Sequence, residues 1–144
     1  MIRSICAAAA LSLAFAAPAV GDESADKAAI EAAVLDYFHG QGEASLERLF
    51  RAFAAEQASM VGVVDGEEGD EVRAYKDMVE VLNNWASNED PPGGDRDGEI
   101  LDMSLVDGRI ATVMFRSTDR FYDALTLAKV DGDWKIVAKA FVLQ

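Results

Sequence analysis

The last third of the chain constrains the fold most. "EILDMSLV", "RIATVMFRS", "RFYDALTLAKV" and "DWKIVAKAFVL" are four runs in which apolar and polar residues alternate with period two. Two of the three connections between them are Asp-Gly, at Asp107-Gly108 and Asp131-Gly132. Asp-Gly between alternating runs is a strong hairpin signal, because a type I′ turn needs positive φ at both central residues. The four runs therefore predict an antiparallel meander.

The residues before the meander read as helical. From Ser24 to His39 the apolar positions Ile30, Ala33, Val34, Tyr37 and Phe38 recur at helical spacing. Asp26, Lys27, Glu31 and Asp36 lie off that stripe. Ser24 is placed to cap the start and Gly40 to end the helix in a left-handed conformation. A second helix is expected over Ala44 to Ala55, with Leu46, Leu49, Phe50 and Phe53 inward. "ASMVGVVD" reads as a short strand. "GEEGDE" then reads as a turn into a third helix from Asp70 to Trp85, with Val72, Tyr75, Val79 and Leu82 inward, and Met78 or Trp85 beside them. "NEDPPGGDRDG" is a loop. The expected class is α+β, with three N-terminal helices packed on one face of a strongly curved antiparallel sheet.

The first residues read as a leader outside this domain. "MIRSICAAAALSLAFAAPAV" has a basic start at Arg3, an uncharged apolar run, and small residues around Pro18. That is the pattern of a signal peptide over residues 1–19, cleaved after Ala19 or Gly21. The run is short for a membrane span, and acidic sequence follows at once. Export to the periplasm or the medium is expected. Cys6 precedes the apolar run, so it is not placed for lipid attachment and leaves with the leader. The domain, residues 22–144, then has no cysteine and is held by its core alone.

Thirteen Lys and Arg stand against 26 Asp and Glu, for a net charge of −13. Such acidity disfavours nucleic acid and anionic membrane surfaces as partners. His39 is the single histidine; it falls in the last turn of the first helix, a position that suits a cation. One histidine and no cysteine in the domain leave no zinc site of the usual kind and no thiol nucleophile. No Gly-x-Ser-x-Gly elbow and no phosphate-binding glycine loop occurs. The acidic loops do not fit an EF-hand: aligning Gly98 to the obligatory glycine puts Gly93 and Ser104 at ligand positions. No metal and no cofactor is expected.

A two-residue turn at Asp131-Gly132 pairs Val130 with Asp133, Leu127 with Ile136 and Asp123 with Ala140. Opposed residues share a face. Phe121, Asp123, Leu125 and Leu127 then lie with Trp134, Ile136, Ala138 and Ala140. The first hairpin puts Leu101, Met103 and Leu105 beside Ile110, Thr112 and Met114, and a two-residue middle loop adds Arg116. This more apolar face is expected to meet the helices. Asp123, a lone acid opposite two alanines, then borders a pocket. The reverse face carries Asp102, Ser104, Arg109, Lys135 and Lys139 together with Val113, Phe115, Tyr122 and Phe141. A half-apolar outer face predicts a homodimer through it.

The order of elements and the run "DALTLAKVDGDWKIVAKAF" resemble the nuclear transport factor 2-like superfamily, which includes SnoaL-like and ketosteroid-isomerase-like proteins. Within it, the chain is most similar to the proteins called putative lumazine-binding. Asp123, Leu125, Leu127, Lys129, Asp131, Gly132, Trp134, Lys135 and Ile136 carry the resemblance. Tyr37, Phe38, Gly40, Leu49 and Phe53 support it. The resemblance covers nearly all of residues 22–144. It implies a cone-shaped roll whose sheet wraps a pocket, often in dimers, in a superfamily with isomerases, cyclases, dehydratases and members of no known reaction. Nothing in the sequence resembles the flavin-type barrel of authentic lumazine binders, so lumazine is not predicted as the ligand.

Three functions follow as alternatives: a pocket that binds a small apolar or aromatic molecule without catalysis, an acid–base enzyme, or an interaction module using the outer face. In the enzyme, Asp123 would be the base and Tyr37 the hydroxyl donor to an oxyanion. The competing structural reading pairs Asp123 with Arg116 and leaves Tyr37 in the core. The residues expected to line the pocket are Tyr75, Trp85, Met114, Arg116, Phe121, Trp134, Ala138 and Ala140.

Overall fold

The computed structural model describes residues 22–93, 96–118 and 120–144. The expected leader lies outside them. The elements run α1 (Glu23–Gly42), α2 (Leu46–Ala52), β1 (Ser59–Gly66), β2 (Gly69–Tyr75), α3 (Met78–Ala86), β3 (Gly98–Val106), β4 (Ile110–Ser117), β5 (Phe121–Val130) and β6 (Asp133–Leu143). One six-stranded sheet has the order β2-β1-β6-β5-β4-β3. The β1–β6 pair is parallel and the others are antiparallel. The expected α+β architecture is what the chain adopts.

The cap of helix α1 lies two residues before the expected one. Asp22 is the N-cap, and its Oδ1 accepts the Ser24 amide at 3.0 Å. Ile30, Ala33, Val34, Tyr37 and Phe38 form its buried stripe. Gly40 does not end the helix, which continues to Gly42. Its role is close approach: a Cβ there would stand 3.0 Å from Arg48 Cβ and Leu49 Cγ on α2. Ser45 caps α2, and Leu49, Ala52 and Phe53 are buried. Leu46 and Phe50, expected inward, are exposed.

The expected third helix is overturned in its first half. The chain turns at Glu67-Glu68 and returns along β1, with Val63 opposite Val72. Asp77 then caps a nine-residue α3, accepting the Glu80 amide at 3.0 Å. Strand β2 is an edge strand with no buried position, so its sequence carries no period-two signal.

The meander exists, but its register departs from simple alternation in three places. At Asp131-Gly132 the turn holds as expected: Val130 pairs with Asp133 and Leu127 with Ile136. Val137 is then an extra residue, because Thr126 pairs with Ala138. This β-bulge shifts every later residue of β6 by one, so Asp123 faces Phe141 and not Ala140. In the β3–β4 hairpin Val106 pairs with Ile110, which makes the loop three residues long and inverts the parity of β4. Leu101 is a second bulge, between Ile100 opposite Phe115 and Asp102 opposite Met114. Ala111, Val113 and Phe115 are consequently buried, while Ile110, Thr112 and Met114 point out.

Two rows of residues cross the inner face of the sheet as a result. One runs Phe115, Asp123, Phe141, Gly62; the other runs Val113, Leu125, Lys139, Met60. The core lies between this face and the helices, around Tyr37, Phe38, Leu49, Phe53, Met78 and Leu82. At the far end of α1, Asp26 ties the first turn to the last hairpin. Its Oδ1 accepts Lys129 Nζ at 2.6 Å and Trp134 Nε1 at 2.9 Å. The Lys129 hydrogen bond, and then that of Trp134, hold its carboxyl below the usual range.

Candidate functional site

Asp123 is fully buried and lies beneath α1. Tyr37, near the end of the buried stripe of α1, donates its hydroxyl to Asp123 Oδ2 at 2.9 Å. Lys139 donates to Oδ1 in a tight, buried ion pair. The bulge explains this partner. Once Phe141 stands opposite Asp123, Lys139 becomes the diagonal neighbour on the same face, within reach of a long side chain. Tyr37 and Asp123, the two residues singled out from sequence as base and donor, are thus brought into contact.

The electrostatics follow from burial. Desolvation pushes the Asp123 carboxyl up, against the opposing pull of the Lys139 charge and its hydrogen bond. Desolvation pushes the Lys139 ammonium down, against Asp123. Burial, then the adjacent carboxylate, raises the Tyr37 phenol well above its ordinary value. The Lys139 Nζ also lies 5.0 Å from the Tyr37 ring centroid and 4.9 Å from those of Phe121 and Phe141. Ring faces attract an ammonium and offset part of its lost hydration.

Above this triad a cavity of about 320 Å³ opens between the sheet and the helices. Tyr37, Tyr75, Trp85, Phe121 and Phe141 supply aromatic walls, and Met60 and Val81 fill between them. Lys139 is the charged group on the inner side; Gln41, Asn84 and Arg120 are the polar groups nearer solvent. Trp85 stacks toward Tyr37, with ring centroids 5.9 Å apart. Such a site, mostly apolar with few fixed polar groups, suits a small organic molecule.

Of the residues expected in the pocket, Tyr75, Trp85 and Phe121 line it together with Tyr37. The others do not, for reasons of register. Met114 and Ala140 lie on the reverse face, in a shallow apolar trough with Val61, Tyr122 and Ala124. Ala138 shares the outward row of Thr126 and Thr112. Arg116 pairs with Glu99 at 2.5 Å across β3 and β4, so it is not the partner of Asp123. Trp134 is inward but belongs to the Asp26 cluster. Conversely Lys139, Phe141, Val113 and Phe115, expected outside, face the helices. Sequence reasoning missed Lys139 because the bulge at Val137 has no glycine or proline to mark it.

Among the described residues no group of three or more His, Cys, Asp or Glu is arranged to hold a metal ion. No helix among them is long and apolar enough to cross a membrane.

Comparison with known proteins places this geometry in a family. Among solved structures, the chain is similar to an NTF2-like protein of unknown function from Shewanella baltica OS155, with 23% identity, 85% of this chain and 97% of that chain covered, and a TM-score of 0.71. It is also similar to an NTF-2 like protein of unknown function from Silicibacter pomeroyi DSS-3, with 25% identity, coverage of 85% and 99%, and a TM-score of 0.65. A ketosteroid isomerase-like protein from Erwinia carotovora atroseptica shares the fold at 16% identity, with coverage of 81% and 94% and a TM-score of 0.55. No curated protein matches. The chain's fold is that of these NTF2-like structures, the family model described as "Putative lumazine-binding" matches residues 25–142, and the chain therefore belongs to that family.

Proposed function

We propose that this chain is an exported protein that binds a small, largely flat apolar molecule in the cavity above Asp123, and that it works as a homodimer. The observation that carries the reading is the cavity itself: aromatic walls around a buried Lys139–Asp123–Tyr37 triad. Lys139 has three N–H donors, and Asp123 is its one hydrogen-bond acceptor among the described residues. A ligand carrying a carbonyl or carboxylate oxygen can accept another. The family's description, lumazine-binding, supports a small-molecule ligand.

The acid–base alternative requires Asp123 to take a proton from a substrate. Asp123 is screened from the cavity by Tyr37 and Lys139, and one of its oxygens holds the ammonium. Binding is therefore preferred to proton abstraction. Export rests on the leader pattern of residues 1–19. The dimer rests on the outer sheet face, where Val61, Met114, Tyr122 and Val142 are all exposed. Val61, Ala140, Ala124 and Met114 form one outward row across four strands, with small residues in its middle. A trough of that kind can seat a second copy.

Native mass spectrometry of the chain purified from its own host reads ligand and assembly together. The expected spectrum shows twice the mass of the processed chain, with an adduct of a few hundred daltons on each copy. An adduct-free dimer would favour the interaction module over the binding protein. An adduct-free monomer would contradict both the ligand and the dimer.

A further inference from the structure

Lys139 combines three features that a purely structural lysine does not need. It is almost completely buried, it borders a cavity large enough for an organic ligand, and a carboxyl and a phenol stand next to it in one hydrogen-bonded line. We propose that Lys139 captures the carbonyl group of an aldehyde or ketone as a reversible imine inside this cavity, an inference that rests on the small-molecule reading above.

The chemistry follows from the pair. Ammonium–carboxylate and amine–carboxylic acid differ by the position of one proton in a single hydrogen bond. Burial disfavours the charged arrangement of both partners. The Lys139 lone pair thus becomes available without release of a proton to solvent, and that proton waits on Asp123. A desolvated lysine amine is the usual nucleophile for carbonyl carbon.

Nζ attacks the carbonyl carbon, and the C–N bond forms as the π pair moves onto oxygen. That oxygen takes a proton from Nζ, which leaves a neutral carbinolamine. Asp123 does not line the cavity, so its proton reaches the hydroxyl by way of Nζ, to which it is hydrogen-bonded. The C–O bond breaks, water leaves, and the nitrogen lone pair closes the C=N bond. The product is an iminium paired with the Asp123 carboxylate, so charge is balanced throughout and no oxidant or reductant is used. Tyr37 keeps its hydrogen bond to Oδ2 and orients the carboxyl. The aromatic walls and the volume, near the small end for ligand sites, select a flat molecule of one or two rings.

The test uses naphthaldehyde as carbonyl probe, cyanoborohydride to trap the imine, and naphthylmethanol as a matched ligand that cannot form one. Occupancy of the cavity is followed by fluorescence of Trp85, with Trp134→Phe removing the second tryptophan. The chain has five lysines, and Lys27, Lys76, Lys129 and Lys135 act as internal controls. The expected result is one naphthylmethyl group per chain, mapped to Lys139 in clear preference to any other lysine, since Lys139 is the lysine that lines the cavity holding the probe. Naphthylmethanol should suppress it by competition. Lys139→Arg should lose the label, because a guanidinium forms no imine with the aldehyde. Binding of naphthylmethanol without preferential labelling of Lys139 would overturn carbonyl capture and leave the binding function standing. Failure of both probes to bind, with no label, would overturn both. The residue map on the unaltered chain decides the matter even if Lys139→Arg does not fold.

Discussion

Replacing Lys139 with methionine should lower the stability of the fold by about 3–5 kcal/mol, the usual cost of leaving one member of a buried ion pair without its partner. Both side chains are nearly inaccessible, at 3% for Lys139 and 0% for Asp123, so solvent does not screen the loss. With its cation gone, nothing from Lys139 opposes desolvation, and the Asp123 carboxyl is raised further. A carboxyl whose folded pKa lies above its unfolded value contributes stability at low pH that is lost as pH rises through the folded value. The deficit of Lys139→Met should therefore grow as pH rises above the ordinary carboxylate range. Combining it with Asp123→Asn removes the charge while Tyr37 keeps an acceptor, so the double variant should recover most of the loss. Urea unfolding of the four proteins gives the coupling energy directly. A single variant within about 1 kcal/mol of the parent, or additive effects in the double, would mean that the pair is not buried as described.

The second large effect is expected at Gly62. It faces Phe141 across the parallel β1–β6 pair, and the Phe141 ring lies over its Cα, where a Cβ would overlap the ring atoms. Backbone freedom is not the issue here; close approach of a side chain is. Gly62→Ala forces the ring aside, at about 1–3 kcal/mol for overpacking a filled core. Phe141 is also a cavity wall and one of the three rings around Lys139 Nζ. The variant should therefore lose affinity for naphthylmethanol beyond what its lower stability explains. Phe141→Leu in the same chain frees space and should return part of the stability but not the affinity. Unchanged thermal stability and unchanged binding in Gly62→Ala would refute this packing.

Much of the architecture was legible because its signals are local. The two Asp-Gly turns mark their hairpins, and Asp107 and Asp131 do adopt positive φ. The stripe of α1 is visible because five of its residues are buried at helical spacing. Strand β2 was not legible, since an edge strand whose one half-buried residue is Tyr75, at its end, has no periodicity to read. The site was half legible. Tyr37 and Asp123 stood out as polar groups on apolar faces, and they do touch. Their third partner was hidden by a single extra residue, Val137. A period-two pattern read through a bulge assigns everything beyond it to the wrong face. That one residue exchanges Ala138 and Ala140 for Lys139 and Phe141, and an empty-walled pocket for one floored by an ion pair.

The contact between a ligand and Lys139 is the centre of the functional reading, and side-chain NMR of the protein labelled with nitrogen isotope in lysine tests it most directly. Five lysines give at most five ammonium signals. Lys139 should be the one protected from exchange with water and shifted by Asp123 and the surrounding rings. Added naphthylmethanol should move that signal and leave those of Lys27, Lys76, Lys129 and Lys135 in place. If naphthylmethanol saturates Trp85 fluorescence while the Lys139 signal stays put, or if Lys139 exchanges as fast as the surface lysines, the triad is not the floor of a binding site.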